Sequence, residues 1–202
     1  YAAVMDAFLR GLEQRVAAGK PIDHIASVAS FFVSRVDSNV DKQLEAIING
    51  GGTQATEAKS LLGQAAVANA KLAYADFQRV FSSDRFAALH AKGARVQRPL
   101  WASTSTKNPA YRDVIYVEEL IGPDTVNTVP QKTLTALLDH AVLAQTLTTG
   151  VDEAQADIDR LAALGIDMAD VTHELEIEGV QAFTDAFNTL LAAIEKKQAV
   201  VA

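Results

Sequence analysis

Three side chains with chemical potential stand at the close of one apolar run. Ile25-Ala26-Ser27-Val28-Ala29-Ser30-Phe31-Phe32-Val33 carries no charge, and Ser30, Phe32 and then Arg35 lie at its end. A guanidinium just beyond a buried run can fork two hydrogen bonds to a phosphate or a carboxylate. A salt bridge from Arg35 to Asp37 or Asp41 accounts for it equally well. A second group, Ser103, Ser105 and Lys107, follows the run Arg98-Pro99-Leu100-Trp101-Ala102 and enters the loop Thr104-Ser105-Thr106-Lys107-Asn108-Pro109. Lys107 suits a phosphate-binding point charge, a Schiff-base amine or a solvated surface lysine, and the last is the plainest reading.

Other candidates are weaker. His24, His90, His140 and His173 show no pair at the spacing of a helical metal site, and there is no cysteine to supplement them, so no metal is expected. Glu118-Glu119 offers a general acid, although adjacent carboxylates are more often solvated. Gly50-Gly51-Gly52 lacks the spacing of a phosphate loop and reads as a plain turn. Trp101 and the Phe31-Phe32 pair are most simply core.

The elements that must position these residues follow from periodicity. Val4, Phe8, Leu9, Leu12 and Val16 recur at helical spacing until Gly19 and Pro21 stop the helix. The run Ile25–Val33 shows no polar alternation, so it is expected to be a strand buried on both faces. Asp37 and Ser38 cap a helix through Val40, Leu44 and Ile48, and one long alanine-rich helix is expected from Ala55 to Phe81. Ser83 caps a helix from Asp84 to Lys92. Arg98–Ser103 and Asp124–Val129 are further strands, and Val114–Leu120 fits either class. Helices Gln131–His140, Val151–Leu164 and Gly179–Lys197 complete the chain, the last with Val180, Phe183, Phe187, Leu190 and Ile194 as a core-facing stripe.

About three strands alternating with long helices imply an α/β fold with parallel strands, because parallel neighbours need crossovers. A complete (β/α)8 TIM barrel needs eight strands in roughly 250 residues, so these 202 residues read as the later part of one such barrel domain, incomplete without upstream strands. In barrels the active site lies at the C-terminal strand ends, where Ser30, Phe32, Arg35, Ser103, Ser105 and Lys107 fall. The chain opens Tyr1-Ala2-Ala3 with no initiator methionine and no cap residue, which is expected of a chain missing an upstream segment. A formal charge of −7 argues against nucleic-acid and anionic-membrane partners. No apolar run approaches the roughly 18 residues of a membrane span, and the absence of cysteine fits a cytoplasmic setting.

Three ordered stretches resemble transaldolase, in the longer form common in actinobacteria and cyanobacteria. They are Ser27-Val28-Ala29-Ser30-Phe31-Phe32-Val33-Ser34-Arg35-Val36-Asp37, Arg98-Pro99-Leu100-Trp101-Ala102-Ser103-Thr104, and the segment from Tyr116 through Gly122-Pro123-Asp124-Thr125-Val126-Asn127-Thr128-Val129-Pro130. The resemblance implies a cofactor-free, Schiff-base transfer of a dihydroxyacetone unit from sedoheptulose 7-phosphate to glyceraldehyde 3-phosphate, in the non-oxidative pentose phosphate pathway. By motif match, Ser30 would bond the dihydroxyacetone hydroxyl, Phe32 would wall the pocket and Arg35 would hold the phosphate. Ser103 matches a serine of the next strand end, whereas a phosphate-binding arginine common two positions later is Ser105 here, with Lys107 a candidate substitute charge. The family's Schiff-base lysine and acid/base carboxylates would precede Tyr1, so no catalytic residue is assigned within the chain and the chain alone is expected to be inactive. Sugar phosphates are the implied partners, and a homo-oligomer is allowed. The competing readings are a noncatalytic helical scaffold of barrel ancestry and a Schiff-base aldolase, such as a fructose 6-phosphate aldolase, that releases dihydroxyacetone.

Overall fold

Glycine and proline punctuation divides the chain much as its spacing predicts. The computed structural model describes residues 1–201, with side chains through 198. The order is α1 (Ala2–Ala17), β1 (Ser27–Phe32), α2 (Ser34–Gly50), α3 (Ala55–Ser60), α4 (Ala65–Phe81), α5 (Asp84–His90), β2 (Gln97–Ala102), α6 (Ile115–Glu118), β3 (Val126–Asn127), α7 (Gln131–His140), α8 (Val151–Ala163) and α9 (Met168–Val201). Ser83 caps α5 by accepting from the Phe86 N–H at 3.4 Å, as its sequence position predicts. The ambiguous stretch from Val114 resolves into the single helical turn of α6.

Among the described residues the strands form one parallel sheet in the order β1-β2-β3. The register pairs Ser27 with Gln97, Ala29 with Pro99 and Phe31 with Trp101. These residues share the face that packs on helices. Phe31 meets both Tyr1 and Trp101 edge-on, at centroid distances of 5.8 and 5.7 Å. The main core joins Val36, Val40 and Leu44 of α2 to Ala66, Ala70 and Phe77 of α4, with α8 lying along α4. A second cluster joins Leu9 and Leu12 of α1 to Phe86 and Leu89 of α5.

Three expectations are corrected. β1 is buried on one face only: Val28, Ser30 and Phe32 are exposed, because no described element covers that side of the sheet and β1 is an edge strand. The helix expected from Ala55 to Phe81 is broken into α3 and α4. Gly63 stands between them at φ +71°, where a glycine is free and other residues are strained. The stripe of α9 is not core. Phe183 is 72% and Phe187 59% exposed, because α9 packs through its first turns, by Val171 and Leu175, and then runs past the rest of the fold.

Candidate functional site

A parallel sheet brings the C-terminal ends of all its strands to one edge, and here that edge is stitched by polar groups. The Val33 N–H donates to the Ala102 carbonyl at 2.9 Å and the Ser34 N–H to the Ser103 carbonyl at 3.0 Å. The Ser34 and Ser103 hydroxyls lie 2.9 Å apart. Ser103 adopts φ 56°, a left-handed conformation that costs a non-glycine residue about 1 kcal/mol. That turn points its carbonyl and hydroxyl at the start of α2. Thr104, wholly buried, donates to Asn127 at 2.8 Å and so ties β2 to β3. Ser34, Thr104 and Asn127 were not singled out from sequence, and only their place beside strand ends marks them.

Ser30 and Phe32 lie on the open face of β1, and its strand edge, with Tyr1, Ala73, Leu175 and Phe183, lines a groove of about 1090 Å³. Arg35 sits in the first turn of α2, half-buried, with its guanidinium carbon 4.9 Å from the centroid of the Phe32 ring. That stacking is a cation–π contact. Among the described residues Arg35 makes no ion pair, because the carboxylates of Asp37 and Asp41 are bonded elsewhere. The salt bridge that competed for Arg35 in the sequence is therefore not formed. Ser30, Phe32 and Arg35 are brought together, and Ser103 is fastened to the residue preceding Arg35.

Ser105 and Lys107 form a separate pair. The Lys107 ammonium donates to the Ser105 hydroxyl at 3.0 Å and is exposed. It faces a cavity of about 220 Å³ on the flank of α2, beside Asp41, Tyr111 and Tyr116, distinct from the groove that holds Ser30 and Phe32.

Two buried acids hold this end together. Asp37 accepts from the Ala66 N–H at 2.7 Å and the Tyr116 hydroxyl at 2.6 Å. Burial pushes its carboxyl up to about 6, against the opposing pull of those two donors. Asp41, one turn on, accepts from the Gly63 N–H at 2.9 Å and the Tyr111 hydroxyl at 2.7 Å. Burial raises its carboxyl as well. The signal was present, since Asp37, Val40, Asp41 and Leu44 share one helical stripe. Two acids on a core-facing stripe must find donors.

Glu118, Glu119 and His140 have structural partners. Glu118 takes a forked bond from Arg112, at 2.7 and 2.9 Å, and a further bond from the Val142 N–H. Glu119 pairs at 3.2 Å with Lys71, a buried lysine of α4 that points away from the strand ends. His140 lies between Asp113 and Asp139, which raise its ring above the ordinary histidine range. Among the described residues no group of three histidines or carboxylates is placed to hold a metal ion. No described helix is long and apolar enough to cross a membrane.

Comparison with known proteins gives this arrangement a setting. The family model described as "Transaldolase/Fructose-6-phosphate aldolase" matches residues 1–194. A protein named "Transaldolase" from Parafrankia sp. (strain EAN1pec) is 53% identical over 198 residues, covering 98% of this chain and 52% of that protein. One of the same name from Mycobacterium tuberculosis is 53% identical over 193 residues, covering 95% of this chain and 50% of its own length. A third, from Frankia alni, is 51% identical over 198 residues. The chain spans about half the length of these curated relatives. With a parallel α/β sheet whose strand ends carry the serine, phenylalanine and arginine described above, and a family match running through nearly its whole length, the chain belongs to the transaldolase/fructose-6-phosphate aldolase family.

Proposed function

We propose that this chain forms the substrate-binding side of a transaldolase-type site. The reaction is transfer of a dihydroxyacetone unit from sedoheptulose 7-phosphate to glyceraldehyde 3-phosphate through a Schiff base, within the non-oxidative pentose phosphate pathway of the cytoplasm. The observation that carries the reading is the unpaired Arg35 guanidinium above Phe32, next to Ser30, at the C-terminal end of a parallel strand whose face is open. Ser30 bonds a sugar hydroxyl, Phe32 excludes water from the pocket wall, and Arg35 binds the phosphate through a charge-assisted fork. Lys107 adds a second positive charge on the neighbouring loop. Among the described residues no lysine lies on a strand. Lys107 is exposed and Lys71 is ion-paired on an outer helix, so neither sits in an apolar strand that would release a neutral amine. The nucleophile is accordingly assigned outside residues 1–202, and the chain alone binds substrate without turning it over.

Borohydride trapping tests this. With fructose 6-phosphate and borohydride, the isolated chain should gain no covalent adduct, whereas a relative of full length should. An adduct on Lys107 overturns the assignment. The family description also names an aldolase activity. Adding an aldehyde acceptor to a full-length relative and measuring free dihydroxyacetone separates transfer from release.

A further inference from the structure

The segment from Ser103 to Val114 has no regular secondary structure, yet it carries Ser105 and Lys107. Its two ends are fixed, by Ser103 on Ser34, Thr104 on Asn127, and Tyr116 on Asp37 just beyond it. Between those points the side-chain hydrogen bonds of residues 105–110 stay inside the loop, and those that leave it come from Tyr111, Arg112 and Asp113. Lys107 bonds Ser105, Thr106 bonds the Arg112 carbonyl, and the Ala110 N–H bonds Asn108. Arg112 reaches the other way, to Glu118 and the His140 carbonyl. Among the described residues, one side-chain bond crosses from the middle of the loop to α2: the Tyr111 hydroxyl donates to Asp41 Oδ2 at 2.7 Å.

Three features lock that bond in place. Asp41 cannot swing away, since its other oxygen accepts the Gly63 N–H at 2.9 Å. The Tyr111 ring lies directly on Gly63, where an added Cβ would come within 2.7 Å of the ring. Asp41 is itself buried within α2, the helix whose first turn carries Arg35. Tyr111 therefore has one seat, defined jointly by α2 and the α3–α4 turn.

We propose that Tyr111 and Asp41 are positioning residues, whose hydrogen bond latches the loop bearing Ser105 and Lys107 to the helix bearing Arg35. The proposal rests on the sugar-phosphate reading above and adds to it the device that sets the two cationic segments relative to one another. Removing the latch leaves the helices intact and lets the loop sample positions that do not meet a phosphate, so binding falls by the fraction of time the loop is misplaced.

Tyr111→Phe keeps the ring on Gly63 and deletes only the hydroxyl. Amide hydrogen exchange of the chain should show residues 105–110 exchanging about tenfold faster, while protected amides of α2 and α4 keep their rates. A phosphorus NMR titration with fructose 6-phosphate should show a dissociation constant weakened by about fivefold in the same variant. Asp41→Asn retains an oxygen for Gly63 and an amide for Tyr111, and should keep loop exchange near the wild-type rate. Loop exchange unchanged in Tyr111→Phe overturns the latch, as does faster exchange with unaltered affinity. A wild-type chain that binds no fructose 6-phosphate, with a loop still freed in the variant, overturns the sugar-phosphate reading and reduces the latch to a structural contact.

Discussion

Asp37 is 2% exposed, and its carboxyl is raised from 3.8 to about 6 by burial. A carboxyl raised in the folded state favours folding while protonated and loses that contribution as it ionises. The stability is fully present below the unfolded value near 3.8 and is lost as pH rises through about 6. Raising the carboxyl from 3.8 to about 6 corresponds to about 3 kcal/mol, of which about 2 kcal/mol falls between pH 4 and pH 7. Asp37→Asn removes the titration while keeping an oxygen for the Ala66 N–H and a polar group beside the Tyr116 hydroxyl. Denaturant unfolding can be followed through Trp101, the one tryptophan of the chain and buried in its core. Measuring wild type and variant at each pH cancels the other acids, several of which shift the opposite way through exposed arginine contacts. The stability of Asp37→Asn relative to wild type should therefore rise by about 2 kcal/mol from pH 4 to pH 7. A difference flat to within about 0.5 kcal/mol would refute the claim that burial, more than its two donors, governs this carboxyl.

Other outcomes follow from the same contacts. Arg35→Ala should weaken fructose 6-phosphate binding by about ten- to a hundredfold, the value of a charged hydrogen bond, while leaving the unfolding midpoint nearly unchanged, as titration and denaturation on the same samples would show. Gly63→Ala places a Cβ against the Tyr111 ring at a left-handed φ, and should cost about 2 kcal/mol or more in urea unfolding. On α9, Phe187→Ser should change stability by no more than about 0.5 kcal/mol, whereas Leu44→Ala in the fully buried stripe of α2 should cost about 2 to 5 kcal/mol. Equal losses at those two positions would place the α9 seam back in the core.

The strands were legible because each is a short apolar run between glycine, proline or polar punctuation, and β1 and β2 fall within two residues of their expected bounds at the start and one at the end. Ser83 was legible because capping is local. The break at Gly63 was not, since Leu62 before it and Ala66 after it continue the helical pattern. Its cause is tertiary: Asp41 claims the Gly63 N–H and Tyr111 fills the space a side chain would need. Asp37 was read as a cap, whereas α2 begins earlier, at Ser34, and turns Asp37 inward. At the site, Ser30 and Phe32 lie in the last three residues of β1, Arg35 in the first turn of α2 and Ser103 just beyond β2. The polar stitching by Ser34, Thr104 and Asn127 was hidden, because small polar residues near a loop announce nothing until register places them opposite one another.

The bare seam of α9 governs how this protein behaves in the tube. Phenylalanine, leucine and isoleucine side chains held in water attract one another more strongly on warming and in excluded salts such as sulfate, and less strongly in the cold. A preparation should accordingly stay clearest when chilled in dilute buffer, cloud first when concentrated warm, and adhere to a phenyl resin under ammonium sulfate. The residues that the sequence marks for an interior are thus, on this helix, left facing water.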